Sequence, residues 1–354
     1  MAIAQEWIIK RGGSERCVEA MKIAFPGATV LTTLLDPDAV PLLRDARTSF
    51  LQRIPGATRH HEWLLPLMPL AWRTMAVPAA ELVISSSHSC AKAVRVPAGV
   101  PHLCYCHTPM RYAWDFESER TRFPLPIRAL ARQGMGAFRA WDRRSAAGVT
   151  EFIANSSAVA DRINRFYGRS AEVIHPPVRT EYFTPGGEKG EDFLYVGRLV
   201  SYKRADLVVD AFAGLPYRLQ VVGTGHLEKA LRARATPNVT FLGEVAEERL
   251  RDLYRSARAL VFPANEDFGI AMAEAQACGT PVISLREGGA ADIVASGETG
   301  WLIEEARVED VREAVRLAAD EVLDPTVIRT RAERFSEERF VDEIREAGRR
   351  LVYG

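Results

Sequence analysis

A chain of 354 residues favours two domains over one, each long enough to bury its own core. Its 46 lysines and arginines balance 46 aspartates and glutamates, which argues against a protein that coats nucleic acid, because phosphate binding by counterion release needs a basic excess. The amino terminus lacks the basic start, apolar stretch and small-residue cleavage site of a signal peptide, and no apolar run reaches about 18 residues, so the chain reads as soluble and cytoplasmic.

In chain order, a short apolar run leads to the turn Arg11-Gly12-Gly13 and a helix beginning near Ser14. Backbone N–H groups at Gly13 would face a phosphate or sugar there, although a bare Gly-Gly is otherwise only a turn. Strand-like runs follow at 28–33, 81–85, 102–107, 151–155 and 172–175. The five cysteines are an odd count without Cys-x-x-Cys spacing; Cys104 and Cys106 alternate across Tyr105 and would share one strand face as buried thiols. Residues 120–144 hold seven arginines and one acid, Asp142, among Phe123, Leu125, Ile127, Leu130, Met135, Phe138 and Trp141. Such a segment suits an anionic membrane surface and, equally, a core helix with a solvated basic face.

The stretch Thr184-Pro185-Gly186-Gly187-Glu188-Lys189-Gly190 is rich in turn formers and poor in core formers. It marks 185–190 as a linker between an amino-terminal domain, 1–184, and a second domain, 191–335. Residues 336–354 form a carboxy-terminal helix that is expected to pack back on the amino-terminal domain. After the linker, runs at 193–197, 218–223, 239–243, 259–262, 281–284 and 301–303 alternate with helical stretches. The fold class is therefore α/β, two doubly wound Rossmann-like domains with parallel sheets, and a central cleft between facing sheet ends is the expected ligand site.

Chemistry concentrates in Asn265-Glu266-Asp267-Phe268-Gly269-Ile270-Ala271-Met272-Ala273-Glu274. Here a strand ends and a helix begins, so free N–H groups around Phe268, Gly269, Ile270 and Ala271 would point at an anion. Paired glutamates at helical spacing usually mark a solvated face. The apolar residues between these two instead place Glu274 in a largely buried helix, where an unpaired carboxylate is costly.

Glu266 and Glu274, with seven residues between them, resemble the Glu-x7-Glu motif of retaining glycosyltransferases of family four, which have the GT-B fold. Tyr195-Val196-Gly197-Arg198-Leu199-Val200-Ser201-Tyr202-Lys203 is similar to that family's Gly-Arg-Leu and Lys pair. In the amino half, Cys106-His107-Thr108-Pro109-Met110-Arg111-Tyr112-Ala113-Trp114-Asp115, Ile153-Ala154-Asn155-Ser156-Ser157 and His175-Pro176-Pro177-Val178 follow in the family's order. The resemblance implies a catalytic set of His107, Glu266, Arg198 and Lys203. Arg198 and Lys203 take the leaving diphosphate, while Glu266 and His107 contact the donor sugar. Glu274 accepts the ribose hydroxyls, Gly223 lets backbone approach the ligand and Val245 lines the base pocket. Histidines 88, 102 and 175 read as structural, His88 with a weak functional claim.

The resemblance further implies retention of anomeric configuration and no cofactor beyond the substrate itself. Within the family, bacterial mannosyltransferases of polysaccharide and O-antigen assembly are most similar. GDP-mannose is thus the first donor expected, ahead of UDP-glucose and UDP-N-acetylglucosamine, with a saccharide or lipid-linked saccharide as acceptor. Asp36-Pro37-Asp38 has the Asp-x-Asp spacing of the other large glycosyltransferase fold, but it suits a turn and lies in the wrong domain; no metal site is expected. Competing readings are a nucleotide-sugar epimerase and a non-catalytic nucleotide-sugar-binding protein. A dinucleotide oxidoreductase is disfavoured because Arg11-Gly12-Gly13-Ser14-Glu15-Arg16 does not supply Gly-x-Gly-x-x-Gly.

Charge divides unevenly at the linker. Residues 1–184 hold 23 basic and 16 acidic side chains, and residues 185–354 hold 23 and 30. A basic amino-terminal half fits an anionic or membrane-borne acceptor, with the enzyme peripheral on the inner face of the plasma membrane.

Overall fold

The computed structural model describes residues 1–115 and 128–354. They form two units, one of Met1–Pro177 with Glu338–Gly354 and one of Val178–Glu337. Among the described residues no helix is long and apolar enough to cross a membrane.

The first unit is built on seven strands: β1 (Ala2–Gln5), β2 (Thr29–Thr32), β3 (Arg47–Thr48), β4 (Val83–Ser87), β5 (His102–Cys106), β6 (Glu151–Ala154) and β7 (Ala171–Val173). Their order is β3-β2-β1-β4-β5-β6-β7, and every pairing is parallel. Strands buried on both faces are largely apolar, and alternate residues here serve opposite cores. Ile3, Ile84, Leu103, Tyr105 and Ile153 face one cluster. On the other side lie Ala2, Ala4 and Val83, and also Cys104, Cys106, Phe152 and Ala154. Cys104 and Cys106 do share a strand face, and all five cysteines are buried thiols.

The last helix, Glu337–Tyr353, lays Phe340, Val341, Ile344 and Ala347 into the first of these clusters. Gly348 lets the helix seat closely there: a Cβ would stand 2.8 Å from the Phe25 ring, which would have to shift. Arg350 ties the same helix to Glu151 and Glu172, at 2.6 Å each.

The second unit has β8 (Phe193–Val196), β9 (Leu219–Val222), β10 (Val239–Gly243), β11 (Leu260–Phe262), β12 (Val282–Leu285) and β13 (Gly300–Ile303) in the order β10-β9-β8-β11-β12-β13. Counted within the unit this is 3-2-1-4-5-6, the doubly wound order of mononucleotide-binding sheets.

The unit boundary lies earlier than the turn-rich stretch 185–190. Val178 N–H donates to the Phe335 carbonyl at 2.8 Å, and Arg329 reaches the carbonyls of Thr180 and Phe183. Gly190 N–H bonds the Ser256 carbonyl at 2.7 Å, and Lys189 bonds the Thr280 hydroxyl. Turn-forming composition reports few core side chains; it is silent about backbone hydrogen bonds, and these fasten 178–190 to the second unit.

The described part of the basic segment, in the helix Arg128–Ala147, is tied inward. Phe138 and Trp141 pack on the core, Arg143 covers the Trp114 ring at 4.8 Å, and Arg139 bonds the Ala113 carbonyl. It thus behaves as a core helix with a basic outer face. Residues 120–127, with Phe123, Leu125 and Ile127, lie outside the described residues.

Candidate functional site

In doubly wound sheets a crevice opens at the carboxyl ends of the two strands where the order reverses. In the second unit these are β8 and β11. The loop after β8 carries Arg198 and Lys203, and that after β11 carries Glu266.

Lys203 Nζ stands 2.7 Å from Glu266 Oε1, the two side chains being 18% and 16% exposed. With so little solvent the pair is screened far less than a surface ion pair. The ammonium also faces the rings of Phe262 and Tyr202, at 5.2 and 5.5 Å. Arg198 is exposed, lies 5.8 Å from the Tyr202 ring and bonds the Tyr202 hydroxyl. Both cations therefore converge on Tyr202. Beneath them the buried Tyr195 donates to the Lys203 carbonyl at 3.1 Å.

The next residue, Arg204, has φ +54°, the one non-glycine in the left-handed region among the described residues. That conformation costs a side-chain-bearing residue about 1–2 kcal/mol. Arg204→Gly is expected to raise thermal stability by about 0.5–1 kcal/mol, less than the full strain because glycine also loosens the unfolded chain. A fall in melting temperature would show that the Arg204 contact to Asp206, at 3.5 Å, outweighs the strain.

The helix Ile270–Ala277 begins at Gly269, whose φ of +103° excludes other residues. Among the described residues the N–H groups of Ile270 and Ala271 have no acceptor, so the helix start is open to an anion. The Phe268 ring is buried against Phe335, which anchors the backbone leading into this helix start. Glu274 is 6% exposed and accepts a 3.2 Å hydrogen bond from the hydroxyl of the fully buried Tyr254. That partner lies twenty positions away, and nothing in the local pattern announces it.

The Gly288-Gly289 turn after β12 was also hidden, though the doublet is plain in the sequence. A Cβ at Gly288 would stand 2.0 Å from the Glu266 carbonyl, and one at Gly289 2.4 Å from Phe268 Cα. These glycines let the backbone that carries Glu266 seat against its neighbour. Gly223 has a similar packing reason: with φ +121°, its missing Cβ would meet the Gly197 carbonyl at 2.1 Å. The close approach it permits is to the Arg198 loop. Val245 is half-buried just past β10, on the same carboxyl edge of the sheet.

In the first unit the reversal lies between β1 and β4. His107, at the end of β5, is bonded through Nε2 to Ser86 Oγ at 2.8 Å and packs edge-on to Tyr105. His88 lies 6.4 Å from it, ring to ring, and 4.8 Å from Trp7. The serine run 85–87 supplies the fixings: Ser85 holds His102, and Ser87 holds the buried Glu6, which also accepts from the N–H groups of Ser89 and Ala91. Burial holds His102 down at about 4, neutral at physiological pH, as a structural histidine.

Gly13 opens the helix Gly13–Ala24, but a carboxylate already caps it. Glu15 Oε2 accepts from Gly12 N–H and the Ser14 hydroxyl, both at 3.0 Å. Burial raises its pKa, against the lowering pull of these hydrogen bonds. A phosphate would compete with that side chain, so the helix start offers anions less than the glycines suggest. Asp36 accepts from Asp38 N–H at 3.1 Å, an Asx turn.

Residues 11–182 match the model of Glycosyltransferase Family 4, and residues 180–335 match that of Glycosyl transferases group 1. Together the two matches span residues 11–335, the family 4 model on the amino half and the group 1 model on the carboxyl half. The chain is 35% identical over 190 residues to D-inositol 3-phosphate glycosyltransferase of Rhodococcus erythropolis, covering 45% of this chain and 43% of that protein. It spans about half the length of the curated relatives it matches. Over 98% of both chains it is similar to Anabaena HepE, solved with UDP and glucose, at TM-score 0.72 and 16% identity. Over 99% of both it is similar to sucrose-phosphate synthase of Thermosynechococcus elongatus, at 0.73 and 20%. These likenesses establish the GT-B fold of two Rossmann-like domains. The matched relatives are named for inositol phosphate rather than mannose.

Proposed function

We propose that the protein is a retaining, metal-independent hexosyltransferase that moves a sugar from a nucleoside diphosphate to an acceptor hydroxyl. The Lys203–Glu266 pair at the β8/β11 crevice carries this reading. A diphosphate entering there would take Lys203 and Arg198 as counter-charges and the open N–H groups of Ile270 and Ala271 as donors. Freed from the lysine, Glu266 would face the sugar, and Glu274, held by Tyr254, would accept the ribose hydroxyls. The transition state of such transfer is oxocarbenium-like, so positioned charge matters more than a strong protein base. His107, fixed by Ser86, is assigned to the reacting sugar and the first unit to the acceptor, a saccharide or lipid-linked saccharide. The reaction is placed at the cytoplasmic side of polysaccharide or glycolipid assembly.

Mannosyl transfer from GDP-mannose is preferred on the resemblance of the His107 and Lys203 segments. A UDP-sugar donor is the second reading, favoured by the UDP and glucose bound to the HepE neighbour. Thermal shift against GDP-, UDP- and ADP-sugars separates them, since a ligand at 100 times its dissociation constant stabilises by about 2.7 kcal/mol. The matching donor is expected to release nucleoside diphosphate in proportion to acceptor. Donor binding without release across a broad acceptor panel would overturn the transferase reading.

A further inference from the structure

A surface helix normally buries one face and wets the other. The stretch of a 3-10 turn, His61–Leu67, running into the helix Met68–Thr74 is apolar on both. Met68, Ala71 and Trp72 are fully buried in the core beneath it. Outward, Trp63 is 82% exposed, with Leu67 and Leu70 at 41% and 48%. At three residues per turn and then 3.6, these three side chains fall within about a third of the circumference.

Eleven large apolar side chains are exposed among the described residues, and six of them, Leu42, Phe50, Ile54, Trp63, Leu67 and Leu70, belong to the one excursion between β2 and β4. The same excursion exposes Arg44, Arg47, Arg53, Arg59 and Arg73 against Asp38, Asp45, Glu62 and Glu81. None of these arginines is ion-paired among the described residues. Arg73 also lines a cavity of about 470 Å³ with Arg95 and Arg144, walled by Pro69 and Trp141. His102 and Gly148 also line it, placing it at the amino ends of β5 and β6, the opposite end of the sheet from His107.

We infer that this face docks on an anionic phospholipid surface. Trp63, Leu67 and Leu70 enter the boundary between headgroups and acyl chains, where an indole is well placed, and Arg73, Arg95 and Arg144 hold lipid phosphate. Charge selects the partner: unpaired arginines around an apolar face attract anionic headgroups and repel the same face of a second copy. The docking is independent of the donor chemistry proposed above.

The test is flotation of the full chain with vesicles of phosphatidylcholine alone and of phosphatidylcholine doped with phosphatidylglycerol. Binding is expected only to the anionic vesicles and falls with added salt. Trp63→Ser with Leu67→Ser is expected to weaken it by about tenfold or more, through lost apolar burial. Arg73→Glu with Arg144→Glu is expected to do the same through charge. All four side chains are exposed, so melting temperatures should stay level and separate lost docking from lost folding. Absence of binding to anionic vesicles, or binding that both variants retain, would overturn the proposal. So would light scattering in which Trp63→Ser with Leu67→Ser turns a dimer into a monomer while vesicle binding is unchanged.

Discussion

Lys203→Ala is expected to lower kcat/KM for glycosyl transfer by about 10²–10³-fold, the usual loss when a preorganised charge facing a developing anion is removed. The effect follows from where the ammonium is held. It lies 2.7 Å from Glu266 and beside the Phe262 and Tyr202 rings, with its backbone carbonyl fixed by Tyr195. Little reorganisation is then needed when a diphosphate replaces the carboxylate as its counter-charge. Stability should suffer much less, by no more than about 2 kcal/mol, because both members keep some solvent access. Glu266→Gln leaves the cation in place and is expected to cut kcat more than donor binding, whereas Lys203→Ala cuts both. Asp36→Ala removes one Asx-turn bond and should leave activity within about twofold. Steady-state kinetics beside donor thermal shifts checks all three. Equal activity of the three proteins would remove the catalytic assignment from the β8/β11 crevice.

The parallel sheets are legible from sequence because strands buried on both faces read as short, largely apolar runs, such as 193–196 and 282–285, alternating with helical stretches. The eight-residue offset of Glu266 and Glu274 is legible for a related reason: alanines and a methionine between them require a buried helix. What occupies each carboxylate is not legible. Lys203 and Tyr254 reach these glutamates from other strands and helices, across separations that no local pattern encodes.

Gly12-Gly13 misleads in an instructive way. The Glu15 three residues past Gly12 is the acidic half of a capping box, a signal visible in the sequence and more specific than the glycine pair. The chain excursion around Trp63 fails differently. No local pattern separates its buried Met68, Ala71 and Trp72 from its exposed Trp63, Leu67 and Leu70, and only the structure sorts them.

Asp142→Ala is expected to cost the first unit about 3–5 kcal/mol, the range for breaking a buried ion pair on one side. Asp142 and Lys92 are fully buried and paired, and Lys92 also donates to the Ser89 carbonyl at 2.7 Å. The second carboxylate oxygen accepts from Trp114 Nε1 and the Tyr167 hydroxyl, both at 2.7 Å. Removing the carboxylate strands one cation and two donors at once. For a unit of this size the loss should appear as a drop in melting temperature of roughly 10 °C. Burial pulls the Lys92 ammonium down, but Asp142 beside it wins and holds it well above its usual value. A raised lysine contributes fully below its unfolded pKa and loses that contribution only as pH climbs through the folded one, so the cost should be level from about pH 6 to 9.

Lys92→Met should cost somewhat less than Asp142→Ala, because the surviving carboxylate keeps its two hydrogen bonds. The pair Lys92→Met with Asp142→Leu removes both charges yet still orphans the Trp114 and Tyr167 donors, at about 1–3 kcal/mol each. Adding Tyr167→Phe should therefore recover stability, a non-additive result expected only of a shared network. Because Trp114 closes the segment that begins at His107, the single variants should also lower activity at temperatures where the chain is still folded. A loss below about 1 kcal/mol for Asp142→Ala would mean the cluster is solvated and carries none of this stability.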